Sequence, residues 1–388
     1  MNPAMKRHAL GILNNYVKQH ESRLGVTGRD MLLSSKILSN AIIQSTAIGG
    51  TLLEHFWDRV RQCHPKFKEN VDALQQTEAV SEDISSRILL DGVDQAKLNL
   101  KPIYDLAAET FTYLGLAVRN RGCRAPDGLI QRFSDSDSAL NREKALHYAE
   151  KTTDRLLRIA QVHNEPMQQL ALQNLVIRRD GDVQCPISAR LFDPRSSGVL
   201  TQIIPKTVLD NSNVLKYLTM FAGPTTANII LHGLSSLENL INIQLGTLVG
   251  FDKLSFAIES LKENGKIKYI LRDPFPVPDN PLWTEYVLPN LLNDGDEIAF
   301  GRGPEGARLG PGPHPRLCNL RLAIMRVFQD SGAMPVMADL EEGANNRYVN
   351  CFPRDLLSPH FCDVLSRTLM AGHGEVTYGS LFWEAIRE

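Results

Sequence analysis

Reactive side chains are plentiful in this chain, but few fall at spacings that make a chemical site. The six cysteines, Cys63, Cys123, Cys185, Cys318, Cys351 and Cys362, form no C-x-x-C pair. That removes zinc ribbons and dithiol redox motifs. Cys63 and His64 set a thiol beside an imidazole, but adjacent residues on a helix point in different directions, so the pair reads as chance. His163, His232 and His314 have no second ligand at metal-binding spacing and read as exposed or capping histidines. Gly301-Arg302-Gly303 is no phosphate loop, because no strand-to-helix turn surrounds it. Carboxamide and ammonium chemistry remains. The stretch 200-LTQIIPKTVLDNSNVLKYL-218 reads as a strand, a proline-marked corner and a helix start. Gln202 lies in the strand and Lys206 just past the corner. A Gln amide is no base near neutral pH; it donates and accepts hydrogen bonds. Lys206 could add a charge-assisted donor for a carboxylate, against its ordinary role as a solvated lysine at a helix start.

The elements that must position these residues follow from composition and periodicity. The 388 residues are 43% hydrophobic, enough for one large core or two to three domains. The formal net charge is −2, without the basic excess that sequence-independent nucleic-acid binding uses. Widely spaced cysteines, with no signal peptide and no apolar run of roughly 18 residues, give the expectation of a cytoplasmic protein that does not span a membrane. The first third reads as helical: 36–60 with a break at Gly49-Gly50, 81–93, 100–122, and 139–164 capped by Ser138. From about 174, short β-type runs appear at 174–188, 199–205, 237–245 and 266–273, followed by a helix over 315–330. The proline-rich run 269–289, with Phe275, Trp283 and Tyr286, reads as a crossing loop or a pocket lining. The glycine- and proline-rich loop 301–316 reads as a lid or a disordered stretch. The expected organisation is a helical region over 1–165, a mixed core over 166–335 and a tail with helices over 336–388, in the α+β class.

Four stretches occur in a telling order: 178-RRDGDVQCPISA-189, 201-TQIIPKTV-208, 239-NLINIQLGTLVGFDKLSFAIE-259 and 320-LRLAIMRVFQDSGA-333. Together this order resembles the HNH-nuclease-like proteins of filamentous fungi. There the first stretch reads like R-D-G-x-x-C-x-x-T-G and the second A-H-I-I-P. The third is N-x-x-x-L with a His nine residues after the Asn and Phe-Asp three further on. The fourth is a helix ending in Ser-Gly-Ala. The resemblance covers roughly 170–335. It implies a small ββα core in which the first His is the general base on water. The Asn holds that base in place, and the second His binds a divalent metal.

Carried over residue by residue, the base position falls on Gln202 and the Asn is kept as Asn239. The metal position falls on Leu248, with Phe251-Asp252 in register after it. Glutamine cannot deprotonate water, and leucine has no lone pair for a metal. The expectation is therefore a degenerate HNH-like ββα core embedded in a mainly helical protein, with no cofactor and no metal. Gln202 and Asn239 would form a pair of ligand-facing amides. Thr201, Lys206, Asn242, Leu248 and Phe251 would line the same cleft. Look-alikes of these nucleases occur in fungal biosynthetic clusters. For this chain that implies a cofactor-free pericyclase, performing an intramolecular Diels–Alder cyclisation of an apolar terpenoid that bears a carbonyl group. A different reading is a silent pseudo-nuclease that binds a protein or nucleic acid. A homo-oligomer is compatible with both.

Overall fold

The computed structural model describes residues 3–23, 33–77, 82–118, 152–161, 165–181, 184–188, 192, 198–272 and 292–337. The described chain is mainly helical with two small antiparallel sheets, an α+β arrangement. It divides into two compact units. One comprises Met1–Arg121, Val208–Ala227 and Arg326–Glu388; the other comprises Gly122–Thr207 and Asn228–Met325.

The first unit is built from helices α1 (Pro3–Gly11), α2 (Lys18–Arg23), α3 (Leu33–Ile48), α4 (Leu52–Cys63), α5 (Phe67–Gln75), α6 (Glu82–Leu89) and α7 (Lys101–Val118). A π-helical turn, Ile12–Val17, joins α1 to α2. The expected break at Gly49-Gly50 separates α3 from α4. Helix α4 forms because Leu52, Leu53, Phe56, Trp57, Val60 and Cys63 recur on one face, and all are buried. Cys63 donates its S–H to the Arg59 carbonyl, and burial pushes its thiol up to about 12. The His64 ring is engaged separately, accepting the Lys66 N–H.

The second unit carries α8 (Thr153–Ala160), α9 (Glu165–Asp180), β1 (Val199–Gln202), β2 (Leu240–Ile243), α11 (Leu245–Asp252), β3 (Ala257–Glu263), β4 (Lys266–Arg272), β5 (Glu297–Ile298) and α12 (Gly306–Leu309). Helices α10 (Ser212–Gly233) and α13 (Pro315–Ser331) each contribute residues to both units. Strand β1 pairs antiparallel with β2, Gln202 opposite Leu240 and Leu200 opposite Asn242. Helix α11 follows β2 directly. Strands β3 and β4 form a hairpin turned by Asn264 and Gly265, both at positive φ (52° and 79°), as a two-residue turn between twisted strands demands. Strand β5 pairs with β4.

Three expectations are corrected here. Residues 174–180 are helical, not β: Ala171, Leu172, Leu175, Val176 and Arg179 are buried at helical spacing, and that face outweighs the β-branched pair Val176-Ile177. The helix expected to run on to 164 stops at Ala160, after starting at a Thr152 cap whose hydroxyl accepts the Arg155 N–H. The start of the loop 301–316 is a docked structure, not a lid. Gly303 N–H donates to Arg179 O (2.8 Å) and Glu305 N–H to Arg178 O (3.0 Å), satisfying the last carbonyls of α9. Gly301 N–H donates to the Asp180 carboxylate. His163, Ser138, Phe275, Trp283, Tyr286 and the tail beyond 337 lie outside the described residues. Among the described residues no helix is long and apolar enough to cross a membrane.

A Cβ on Gly303 would lie 2.3 Å from the Arg178 carbonyl oxygen. Gly303→Ala is therefore expected to cost about 2 kcal/mol or more in urea unfolding. The buried thiols make a second expectation. Burial pushes Cys318, like Cys63, up to about 12. The folded chain holds these protons where the unfolded chain, titrating at roughly 8.5, has released them. Stability is thus fully present below that value and is lost as pH rises towards 12. Urea midpoints measured from pH 8 upward should fall, and thiol reagents at pH 8 should spare both cysteines until the chain unfolds.

Candidate functional site

Gln202 is the last residue of β1, and the chain leaves the sheet immediately after it. Ile203 and Ile204 are buried, so their four backbone polar groups need partners that the sheet no longer supplies. Two residues satisfy all four. The Asn239 carbonyl accepts Ile203 N–H (2.8 Å), and Asn239 Oδ1 accepts Ile204 N–H (3.0 Å). Asn239 Nδ2 donates to Ile204 O (2.8 Å) and also to Leu234 O (3.0 Å). Arg321 Nη1 donates to Ile203 O (3.0 Å).

Asn239 is itself held from both sides. Arg179 is fully buried and forms a two-point ion pair with Asp180, Nε to Oδ1 at 2.9 Å and Nη2 to Oδ2 at 2.6 Å. Its remaining donors reach Leu237 O (2.9 Å) and Leu240 O (2.8 Å), which bracket Asn239 in the chain. Helix α11 is anchored at its start, where Ser188 donates to Gln244 Oε1 (3.0 Å). Near its end, Arg321 Nη2 donates to Phe251 O, and the guanidinium lies 3.7 Å from the Phe251 ring centroid. All four stretches that carry the resemblance thus join in one hydrogen-bonded frame around β1, β2 and α11.

Within this frame the expected site residues separate. Gln202 is half-buried, and its Oε1 accepts the Lys206 N–H at 2.9 Å. Its amide nitrogen makes no hydrogen bond among the described residues. Lys206, also half-buried, opens a 3₁₀ turn over Lys206–Asp210, and its ammonium has no ion pair among the described residues. Leu248 is half-buried on α11. The strand register puts Leu200, Gln202, Leu240 and Asn242 on one face and Thr201 on the other.

The expected pair of ligand-facing amides is corrected by this geometry. Asn239 is 0% exposed and both its N–H donors are spent on backbone carbonyls, so it has none to offer a ligand. Phe251 is likewise a core residue, fully buried against Arg321 and Phe256, and lines no open cleft. Thr201 is buried on the face opposite Gln202. Asn242 is buried against Gly198, with an Oδ1 that accepts no hydrogen bond among the described residues. Gln202, Lys206 and Leu248 remain as the accessible residues of the expected set.

The histidines do not form the triad that the resemblance implies. His314 Nδ1 accepts the Arg316 N–H at the start of α13, a capping role, and burial lowers its pKa. His232 lies in the last turn of α10 and is exposed. A divalent metal does not fit the donor set at this corner: one amide with its oxygen engaged, one ammonium and one leucine. Among the described residues no three His, Cys, Asp or Glu side chains gather closely enough to hold a metal ion. Sequence reasoning missed Arg179 and Arg321, the two buried guanidinium groups that organise the corner. The signal for Arg321 was a charge within the apolar stripe Leu317, Leu320, Ile324 and Phe328. No known family model matches the chain, and no curated protein or solved structure is significantly similar to it.

Asn239 and Gln202 should behave differently on truncation. Asn239→Ala strands the buried N–H and C=O of Ile204 and is expected to cost roughly 2–5 kcal/mol in urea unfolding. Gln202→Ala removes one hydrogen bond at a half-buried position and should cost roughly 1 kcal/mol. Equal costs would contradict the division into frame and site.

Proposed function

We propose that this chain is a metal-independent pericyclase of fungal secondary metabolism, on a degenerate HNH-like core formed by β1, β2 and α11. The observation that carries the reading is the state of Gln202. Its oxygen already accepts the Lys206 N–H, and its amide N–H donors are the groups still without a partner among the described residues. Such a group is the wrong tool for hydrolysing a phosphodiester. It suits a carbonyl that activates an alkene.

The proposed reaction is an intramolecular Diels–Alder addition, as in the norbornene-forming cyclase of sordarin-type diterpenoid biosynthesis, which this chain is proposed to resemble. A cyclopentadiene adds to an alkene of the same molecule. Two carbon–carbon σ bonds form, and three π bonds become one. No atom is gained or lost, no proton moves, and nothing is oxidised or reduced. Catalysis then needs a folded conformer and a donor on the conjugated carbonyl. Gln202 supplies that donor in this reading, with Lys206 beside it. Leu248 adds apolar surface at the position where the resemblance implies a metal ligand. The substrate is a small apolar terpenoid, and the enzyme acts in the cytoplasm without a cofactor.

The test is turnover of a terpenoid that carries both a cyclopentadiene and a conjugated carbonyl. Cyclisation should exceed the uncatalysed rate and be indifferent to EDTA. Gln202→Ala should lower kcat by roughly 3- to 10-fold, the worth of one neutral hydrogen bond. No acceleration, or acceleration lost to EDTA and restored by Mg²⁺, would overturn the reading. No acceleration together with tight binding of a protein or nucleic acid would favour the pseudo-nuclease instead.

A further inference from the structure

We infer that Arg321 is the positioning residue of this site, setting the place of the Gln202 amide by clamping the peptide carbonyl that follows it. The inference rests on the pericyclase reading for its activity readout, but its geometry stands independently. One guanidinium ties together the two places where the expected chemistry is missing. Nη1 holds Ile203 O, the carbonyl next to Gln202. Nη2 holds Phe251 O, one helical turn after Leu248. The guanidinium plane lies over the Phe251 ring, which fixes its orientation.

Arg321 satisfies two buried carbonyls, and it also fixes where they stand relative to one another. The side chain is 1% exposed and stands among buried apolar residues of α13. Burying a guanidinium costs several kcal/mol in lost hydration, and an apolar residue in its place would leave both carbonyls without their donor. What an apolar residue cannot do is hold two carbonyls from separate elements at a fixed distance. Gln202 is joined to that clamp by a single peptide unit. A shift of Ile203 would move the Gln202 amide and loosen its contact with the Lys206 N–H.

A double-mutant cycle in the full-length chain tests this, with a parallel measurement of amide exchange. Arg321→Lys should lower kcat by roughly the same 3- to 10-fold as Gln202→Ala, with KM and the folded fraction little changed. The double variant should fall no more than about twofold below Gln202→Ala, because Arg321 acts through Gln202. Multiplying effects, or a loss of rate that only tracks the folded fraction, would overturn the proposal. In the exchange arm, Arg321→Lys should speed the Ile204 and Lys206 amides by about tenfold while the β3–β4 hairpin is unchanged. A uniform increase across the unit would show a merely structural role. If Arg321→Lys does not fold, Phe251→Leu removes the stacking face and keeps the carbonyl. The same two amides should then quicken, and no change there would count against the clamp. A wild-type chain without turnover would sink the pericyclase reading, and exchange would still decide the clamp.

Discussion

Four backbone polar groups, the N–H and C=O of Ile203 and of Ile204, set the terms for the rest of this site. Once the chain leaves β1 it is still buried, and a buried backbone without partners costs about 1–3 kcal/mol per group. The chain meets this demand with one backbone carbonyl and two side chains brought from distant segments. Asn239 takes three of the groups and Arg321 the fourth. Arg179 then holds the carbonyls on either side of Asn239, and Asp180 neutralises Arg179. The corner is therefore rigid for a stated reason, and Gln202 stands at its edge.

That division separates frame from chemistry. Asn239 is buried and spends both amide N–H groups on backbone carbonyls, so it has no donor left for a ligand. Gln202 differs because only its oxygen is engaged. In the proposed reading the nuclease-like frame survives while the groups that would run hydrolysis are replaced by an amide and a leucine. A pericyclic reaction fits this substitution, since it asks for shape and a hydrogen-bond donor, not for a base or a metal.

Much of the frame was legible in the sequence. The alternation around Gln202 and the approach to Asn239 marked β1 and β2, and Gly49-Gly50 marked the break between α3 and α4. The run 266–273 marked β4, whereas its partner strand β3 and the Asn264-Gly265 turn between them were overlooked. Other features were hidden for physical reasons. Residues 174–180 combine β-branched side chains with a helical burial face, and tertiary packing decided between them. The role of Asn239 needed its partners, because a carboxamide saturated by backbone looks identical in sequence to one facing a ligand. Arg179 and Arg321 were overlooked because arginine is ordinarily a surface residue. The loop at 301–306 looked free because its glycines and proline signal turns, whereas Gly303 is there to let two backbones touch.

The central claim is that Gln202 donates a hydrogen bond to a ligand carbonyl. Infrared spectroscopy of a bound, ¹³C-carbonyl-labelled, unreactive terpenoid analogue tests it most directly. With the wild-type chain the carbonyl stretch should move to lower frequency than in an apolar solvent, and Gln202→Leu should abolish that shift while the analogue still binds. The same stretch in both proteins would contradict the claim.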